Sequence, residues 1–162
     1  MTLRSQLAFR IRFKAPAEWL EFCINWMAFN AIYGGEPDNN ERARVMSAIR
    51  SCFSKHKAKA VLKTADRSIQ RVIQLPPGNL QLDIWDPQFR AASRKYKRIY
   101  TTRSEEPVSR LAAVAAILYQ VRCNLIHGSK DPDNERDGML VRESNRVLKV
   151  ILTGIFDGAA TN

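Results

Sequence analysis

Apolar residues recur at helical spacing through most of this 162-residue chain. From Ala17 to Tyr33, Trp19, Cys23, Trp26, Asn30 and Tyr33 fall at i, i+4, i+7, i+11 and i+14, with Leu20, Ile24, Met27 and Ala31 beside them. A helix apolar on so many sides belongs in the middle of a bundle or at an interface between subunits. Asn30 shares the main stripe and is expected to be hydrogen-bonded inside the bundle, as structural support rather than as a reacting group. Gly34-Gly35 ends this helix. A basic helical region is expected from about Glu41 to Leu75, with a break near Ser54 or Ala65. A third runs from about Pro87 to Tyr100 and mixes Phe89, Tyr96 and Ile99 with Arg90, Arg94, Lys95, Lys97 and Arg98. The next, from Pro107 to His127, starts with Glu105 and Glu106 at the positive end of the helix dipole and Pro107 at its first position. Leu111, Val114 or Ala115, Leu118, Val121 and Leu125 make its inner stripe, and Gly128 ends it. The last helix spans about Asn134 to Phe156, with Leu140, Val147, Leu148, Ile151, Leu152 and Ile155 on one side. Only Leu3 to Lys14 alternates like a strand, and residues 1–15 suit a strand, an extended arm over a partner subunit or a disordered segment. The expected fold is all-α: one domain over residues 1–162, a bundle of about five or six helices.

Composition narrows the partners. The chain is 45% hydrophobic and 26% charged, a globular balance, with 26 Lys and Arg against 16 Asp and Glu. The resulting charge of +10 favours a polyanion, and nucleic acid comes first. The excess is regional: Glu41 to Arg71 holds nine basic residues and two acidic ones, whereas Lys130 to Lys149 is neutral. Three scattered cysteines, Cys23, Cys52 and Cys123, make neither a zinc site nor a disulfide framework and suit a reducing cytoplasm. Trp19 to Tyr33 is too short to span a bilayer, so no membrane association is expected.

Candidate chemistry is sparse. The chain has no Gly-rich phosphate loop, no GxSxG elbow, no HExxH and no EF-hand loop, so no metal or cofactor is implied. His56 lies in a cluster of lysines and reads as a surface residue. His127 closes an apolar helix, where the negative end of the dipole favours the imidazolium and suits proton transfer. Arg122 precedes it by five residues, about 140° around the helix and about 7.5 Å along it, so both can border one groove. Asn124, between them, is placed to bond the ring or a substrate phosphate. A structural network closing the helix end would need the same residue types.

Val121-Arg122-Cys123-Asn124-Leu125-Ile126-His127-Gly128 resembles the R-x4-H motif of the HEPN domains, in particular their Apea-like branch. Trp26 to Gly34 is similar to that branch's early helix, and Lys130-Asp131-Pro132 with Asn134 to Asp137 is similar to its polar loop. The resemblance covers about Trp19 to Ile155. It implies a helical bundle that forms a homodimer with facing motifs and acts as a metal-independent endoribonuclease, of the type used as a toxin or phage-defence effector. Arg122, His127 and Asn124 are then the candidate catalytic residues. Cys123 departs from the family pattern, where many members carry Asn or another hydrogen-bonding group, and is read with Asn30 as structural support of the site. Lys130 and Arg136 are candidate RNA contacts, with ion pairs to Asp131, Asp133 or Asp137 as the other reading. A nucleotidyltransferase-type antitoxin or another regulatory protein is the implied partner.

The chemistry is self-consistent. RNA carries its own nucleophile, the 2′-OH, so cleavage requires a base, an acid and charge stabilisation, and ends in a 2′,3′-cyclic phosphate and a 5′-OH. Two alternatives remain open from the sequence. One is a non-catalytic interaction or dimerisation module; the other is a basic RNA-binding protein that cuts nothing.

Overall fold

A computed structural model describes residues 16–34, 40–74, 76–127, 131 and 133–159. These contain seven helices and no strand: α1 (Ala17–Tyr33), α2 (Glu41–Cys52), α3 (Lys55–Thr64), α4 (Asp66–Gln74), α5 (Ala91–Thr101), α6 (Pro107–Ile126) and α7 (Glu135–Ala159). The expected all-α bundle is therefore present, with more helices than anticipated. The strand-like alternation of Leu3 to Lys14, the arm over residues 1–15, Gly128 and Lys130 lie outside the described residues.

Polar side chains set the helix starts by accepting backbone N–H groups that the first turn leaves unpaired. Asn40 Oδ1 accepts from Ala43 N (3.1 Å), Ser54 Oγ from Lys57 N (3.4 Å), Glu106 Oε2 from Val108 N (3.0 Å) and Asn134 Oδ1 from Asp137 N (3.2 Å). Pro107 occupies the first turn of α6 as expected. The basic region becomes three helices because Phe53 turns extended and buries its ring, and Ala65 breaks the chain again. Pro87 does not begin α5. The carboxylates of Asp83 and Asp86 accept the N–H groups of Trp85 (2.9 Å) and Gln88 (2.7 Å), holding residues 83–90 in turns that compete with a helix.

Helix α6 is the axis of the bundle. Every residue from Leu111 to Leu118 is buried, and Ala112, Ala113, Ala115 and Ala116 let neighbouring helices approach closely. Around it pack α2, α3, α5 and α7, while α7 in turn carries α1 and α4. Most of the buried apolar residues form one contiguous cluster.

Helix α1 spans the expected residues but turns a different face inward. Trp19, Phe22, Trp26, Phe29 and Tyr33 are buried, at i, i+3, i+7, i+10 and i+14. Cys23 is half-buried and Asn30 is exposed. The expectation of an internally bonded Asn30 is thus corrected: two phenylalanines bury more apolar surface than a thiol and an amide, and they set the rotation. Leu20, Ile24 and Met27 are left outside, at 55%, 65% and 72% exposure. On the other flank, Asn25 donates to Asn145 (2.8 Å), Asn145 donates to Glu21 (2.7 Å), and Lys149 pairs with Glu21, closing the seam between α1 and α7.

Candidate functional site

The last two turns of α6 hold the R-x4-H residues. Arg122 Nη1 pairs with Glu41 Oε2 at 3.1 Å, linking α6 to the first turn of α2. The other carboxylate oxygen accepts the Tyr33 hydroxyl at 2.9 Å, and that hydroxyl accepts the Trp26 indole N–H at 2.9 Å. The chain Trp26, Tyr33, Glu41, Arg122 therefore runs from the aromatic core of α1 to the motif arginine. Its inner end is packed edge to face, with Trp26 to Phe29 at 5.6 Å and Phe29 to Tyr33 at 5.2 Å between ring centroids.

Burial lowers the Arg122 guanidinium's affinity for its proton, but the Glu41 carboxylate, Cys123 and Tyr33 together outweigh that and hold it above its ordinary value. Arg122 is a fixed cation. Its Nε is buried without a hydrogen-bond partner among the described residues. Burial, and then the bond to Glu41, push the Tyr33 phenol up, so it stays a neutral donor. Burial also raises the Cys23 thiol, against the opposing charge of Arg122. Tyr119 is raised by burial and by Cys123. Cys123 is half-buried and acts on both the motif arginine and the Tyr119 hydroxyl.

Asn124 faces elsewhere. It is buried, donates to the Gly78 carbonyl (2.8 Å), and accepts from Leu80 N–H (3.3 Å) and the Gln120 side chain (3.0 Å). Gln120 accepts in turn from Arg42 (2.7 Å), whose guanidinium lies over Tyr119 and Tyr96. This network fastens the chain between α4 and α5 to the end of α6. The structure does not bring Asn124 to the Arg122 ion pair.

His127 is the residue just past α6; its backbone N–H still bonds the Cys123 carbonyl at 3.0 Å, and its ring is exposed. Helical arithmetic from Arg122 therefore holds to this position. Arg136 is half-exposed in the first turn of α7, and Asp137 there accepts the backbone N–H of Asp131 at 3.1 Å. No group of three or more His, Cys, Asp or Glu side chains among the described residues is placed to hold a metal ion, and no helix there is long and apolar enough to cross a membrane.

Sequence spacing did not indicate Glu41, Tyr33 or Gln120 as partners of the motif. Glu41 and Arg122 are 81 residues apart, so no local periodicity joins them; the one available signal was that an arginine beside an apolar stripe requires an acid. No protein-family model, curated protein or solved structure matches the chain.

Proposed function

We propose that this protein is a metal-independent endoribonuclease of the HEPN type, working as a homodimer. The observation that carries the reading is the arrangement at the end of α6. A fixed, partly exposed cation, Arg122, precedes an exposed residue, His127, by about 1.4 turns on the central helix of a basic bundle. In this reading Arg122 binds the scissile phosphate and the charge that develops on it. One His127 takes the proton of the 2′-OH as the 2′-oxygen bonds to phosphorus. His127 of the second subunit protonates the 5′-oxygen as its bond to phosphorus breaks. Asn124 acts on this chemistry by positioning, because its amide is committed to Gly78, Leu80 and Gln120. Arg136, and Lys130 outside the described residues, remain the candidate contacts for the flanking RNA.

The dimer is supported by the exposed apolar stripe Leu20, Ile24 and Met27 on α1. Two copies joined through α1 would bring their motif helices close. In this reading the protein works in the cytoplasm as a toxin or defence effector, restrained by a nucleotidyltransferase-type antitoxin or another regulatory protein.

One observation favours a second reading, an interaction module. The Arg122–Glu41 pair also serves as a structural tie between α6 and α2. Incubating the purified protein with mixed tRNA and mRNA in EDTA, beside a folded His127→Ala control, separates the two. Cyclic-phosphate ends from the wild type alone are expected. Equal cleavage by both proteins, or activity that the chelator removes, overturns the ribonuclease reading.

A further inference from the structure

Of the three tryptophans in the chain, Trp19 and Trp26 are buried and Trp85 is 86% exposed, beside Ile84 at 65%. An indole left in water is unusual for a residue with so much apolar surface. Trp85 sits at the tip of the segment between α4 and α5, and that segment is firmly built. Asn79 N–H donates to the Phe89 carbonyl (2.7 Å), closing the base of the loop, and Leu82 N–H donates to the Asn79 carbonyl (2.9 Å). The Phe89 ring lies so tightly over Gly78 that a Cβ there would come within 2.3 Å of it. Ser93 Oγ donates to the Pro77 carbonyl (2.6 Å), and Asn124 holds Gly78 and Leu80. At the tip, Asp83 and Asp86 each commit a carboxylate oxygen to a backbone N–H, that of Trp85 and that of Gln88. The indole is thus presented on a fixed support.

The chain from this loop runs directly into α5, whose outer side carries Arg94, Lys95 and Arg98 around a shallow cleft of about 330 Å³. Arg90, at the helix start, lies over the Phe89 ring at 5.5 Å. Arg90, Arg94 and Arg98 recur every four residues, about 6 Å apart along the axis, close to the step between successive phosphates of an extended strand.

We propose that the 79–90 loop and α5 bind a single-stranded polynucleotide, with an unpaired base stacked on Trp85 and the phosphates on Arg90, Arg94 and Arg98. An aromatic platform beside a cationic track is how non-sequence-specific single-strand binding is achieved, because every base has a face to stack. The open indole favours this over a duplex, in which the base faces are already stacked on one another. The inference takes the class of polymer, RNA, from the ribonuclease reading and adds where the strand is held. Asn124 joins that holding loop to the motif helix.

The test is binding of a fluorescein-labelled 12-nucleotide RNA of mixed sequence to the full chain carrying His127→Ala, so that nothing is cut. Trp85→Ala in that background weakens binding about tenfold, and Trp85→Phe restores most of it. Arg94→Glu with Arg98→Glu weakens binding and flattens its salt dependence. The same RNA annealed to its complement binds more weakly than the single strand. Trp85→Ala within twofold of its parent, equal affinity for duplex, or no binding at all overturns the proposal. So does a loss of self-association in Trp85→Ala with RNA affinity unchanged, which would make the loop a protein interface. The two readings fail separately: cleavage by the wild type with Trp85-independent binding removes only this one, and Trp85-dependent binding without cleavage removes only the nuclease.

Discussion

Arg122 and Glu41 meet at 3.1 Å across 81 residues of chain, and their pairing fixes the motif arginine against the start of α2 while leaving its side chain partly open to solvent. A phosphate reaching Arg122 must share it with Glu41 or displace that carboxylate. Arg122→Ala is expected to keep the fold, lose about 1 kcal/mol of stability and abolish RNA cleavage. Glu41→Gln removes the competing charge, so it should tighten RNA binding while costing about 1–2 kcal/mol, since the Tyr33 and Arg122 bonds both weaken. Urea unfolding and RNA titration of the two variants measure both effects.

Asn124 is the joint between the motif helix and the Trp85 loop. Asn124→Ala leaves the Gly78 carbonyl, the Leu80 N–H and the Gln120 amide without their partner, and should cost about 2–3 kcal/mol. Gly78→Ala strikes the same joint from the other side, because its methyl group would overlap the Phe89 ring, and about 1–3 kcal/mol is expected. Thermal unfolding reports both.

The α1 stripe separates assembly from stability. Leu20, Ile24 and Met27 are exposed, so Ile24→Glu or Met27→Glu should shift the stability of the isolated subunit by less than about 0.5 kcal/mol. In sedimentation velocity the same changes should convert dimer to monomer. A dimer that survives both would place the interface elsewhere.

Glu143 predicts the acid limit of the fold. Burial works to raise its carboxyl, but bonds from Ser68 and Arg71 and the charges of Arg146 and Arg71 outweigh it, so the group lies below the usual carboxylate range. Its ion pairs are short, at 2.7 Å to Arg71 and 2.9 Å to Arg146. A carboxyl depressed in the folded state stabilises above its unfolded pKa, about 4.3, and loses that contribution as pH falls through the folded value. Stability should therefore decline below about pH 4, and Glu143→Gln should flatten that decline at a cost of about 1.5 kcal/mol at neutral pH. Urea midpoints measured from pH 3 to 7 give the comparison.

Helix positions were legible wherever capping and punctuation residues mark them: α1 ends before Gly34, α6 begins at Pro107, and the basic region breaks at both Ser54 and Ala65, where a break at one or the other is expected. The rotation of α1 was not legible. Cys23 and Asn30 fit a helical stripe as well as Phe22 and Phe29 do, and only competition for core space decides between them. At the site, local sequence placed Arg122 and His127 on one helix end, and it wrongly suggested that Asn124 was available between them. Asn124 was assigned by its distance along the chain, but its partners, Gly78 and Leu80, lie more than 40 residues away. Trp85 carries no sequence signal for a related reason: a single aromatic between two aspartates has no periodicity, and its exposure is visible only once the loop is closed.

The central claim is that Arg122 and His127 promote attack by the RNA's own 2′-OH. Its most direct test is single-turnover cleavage, in EDTA, of one RNA oligonucleotide and its all-2′-deoxy counterpart. The account predicts that the wild type cuts the RNA to 2′,3′-cyclic phosphate and 5′-OH ends, leaves the deoxy strand intact, and loses this activity in His127→Ala. Cutting of the deoxy strand, or an intact RNA after prolonged incubation with folded dimer, would contradict it.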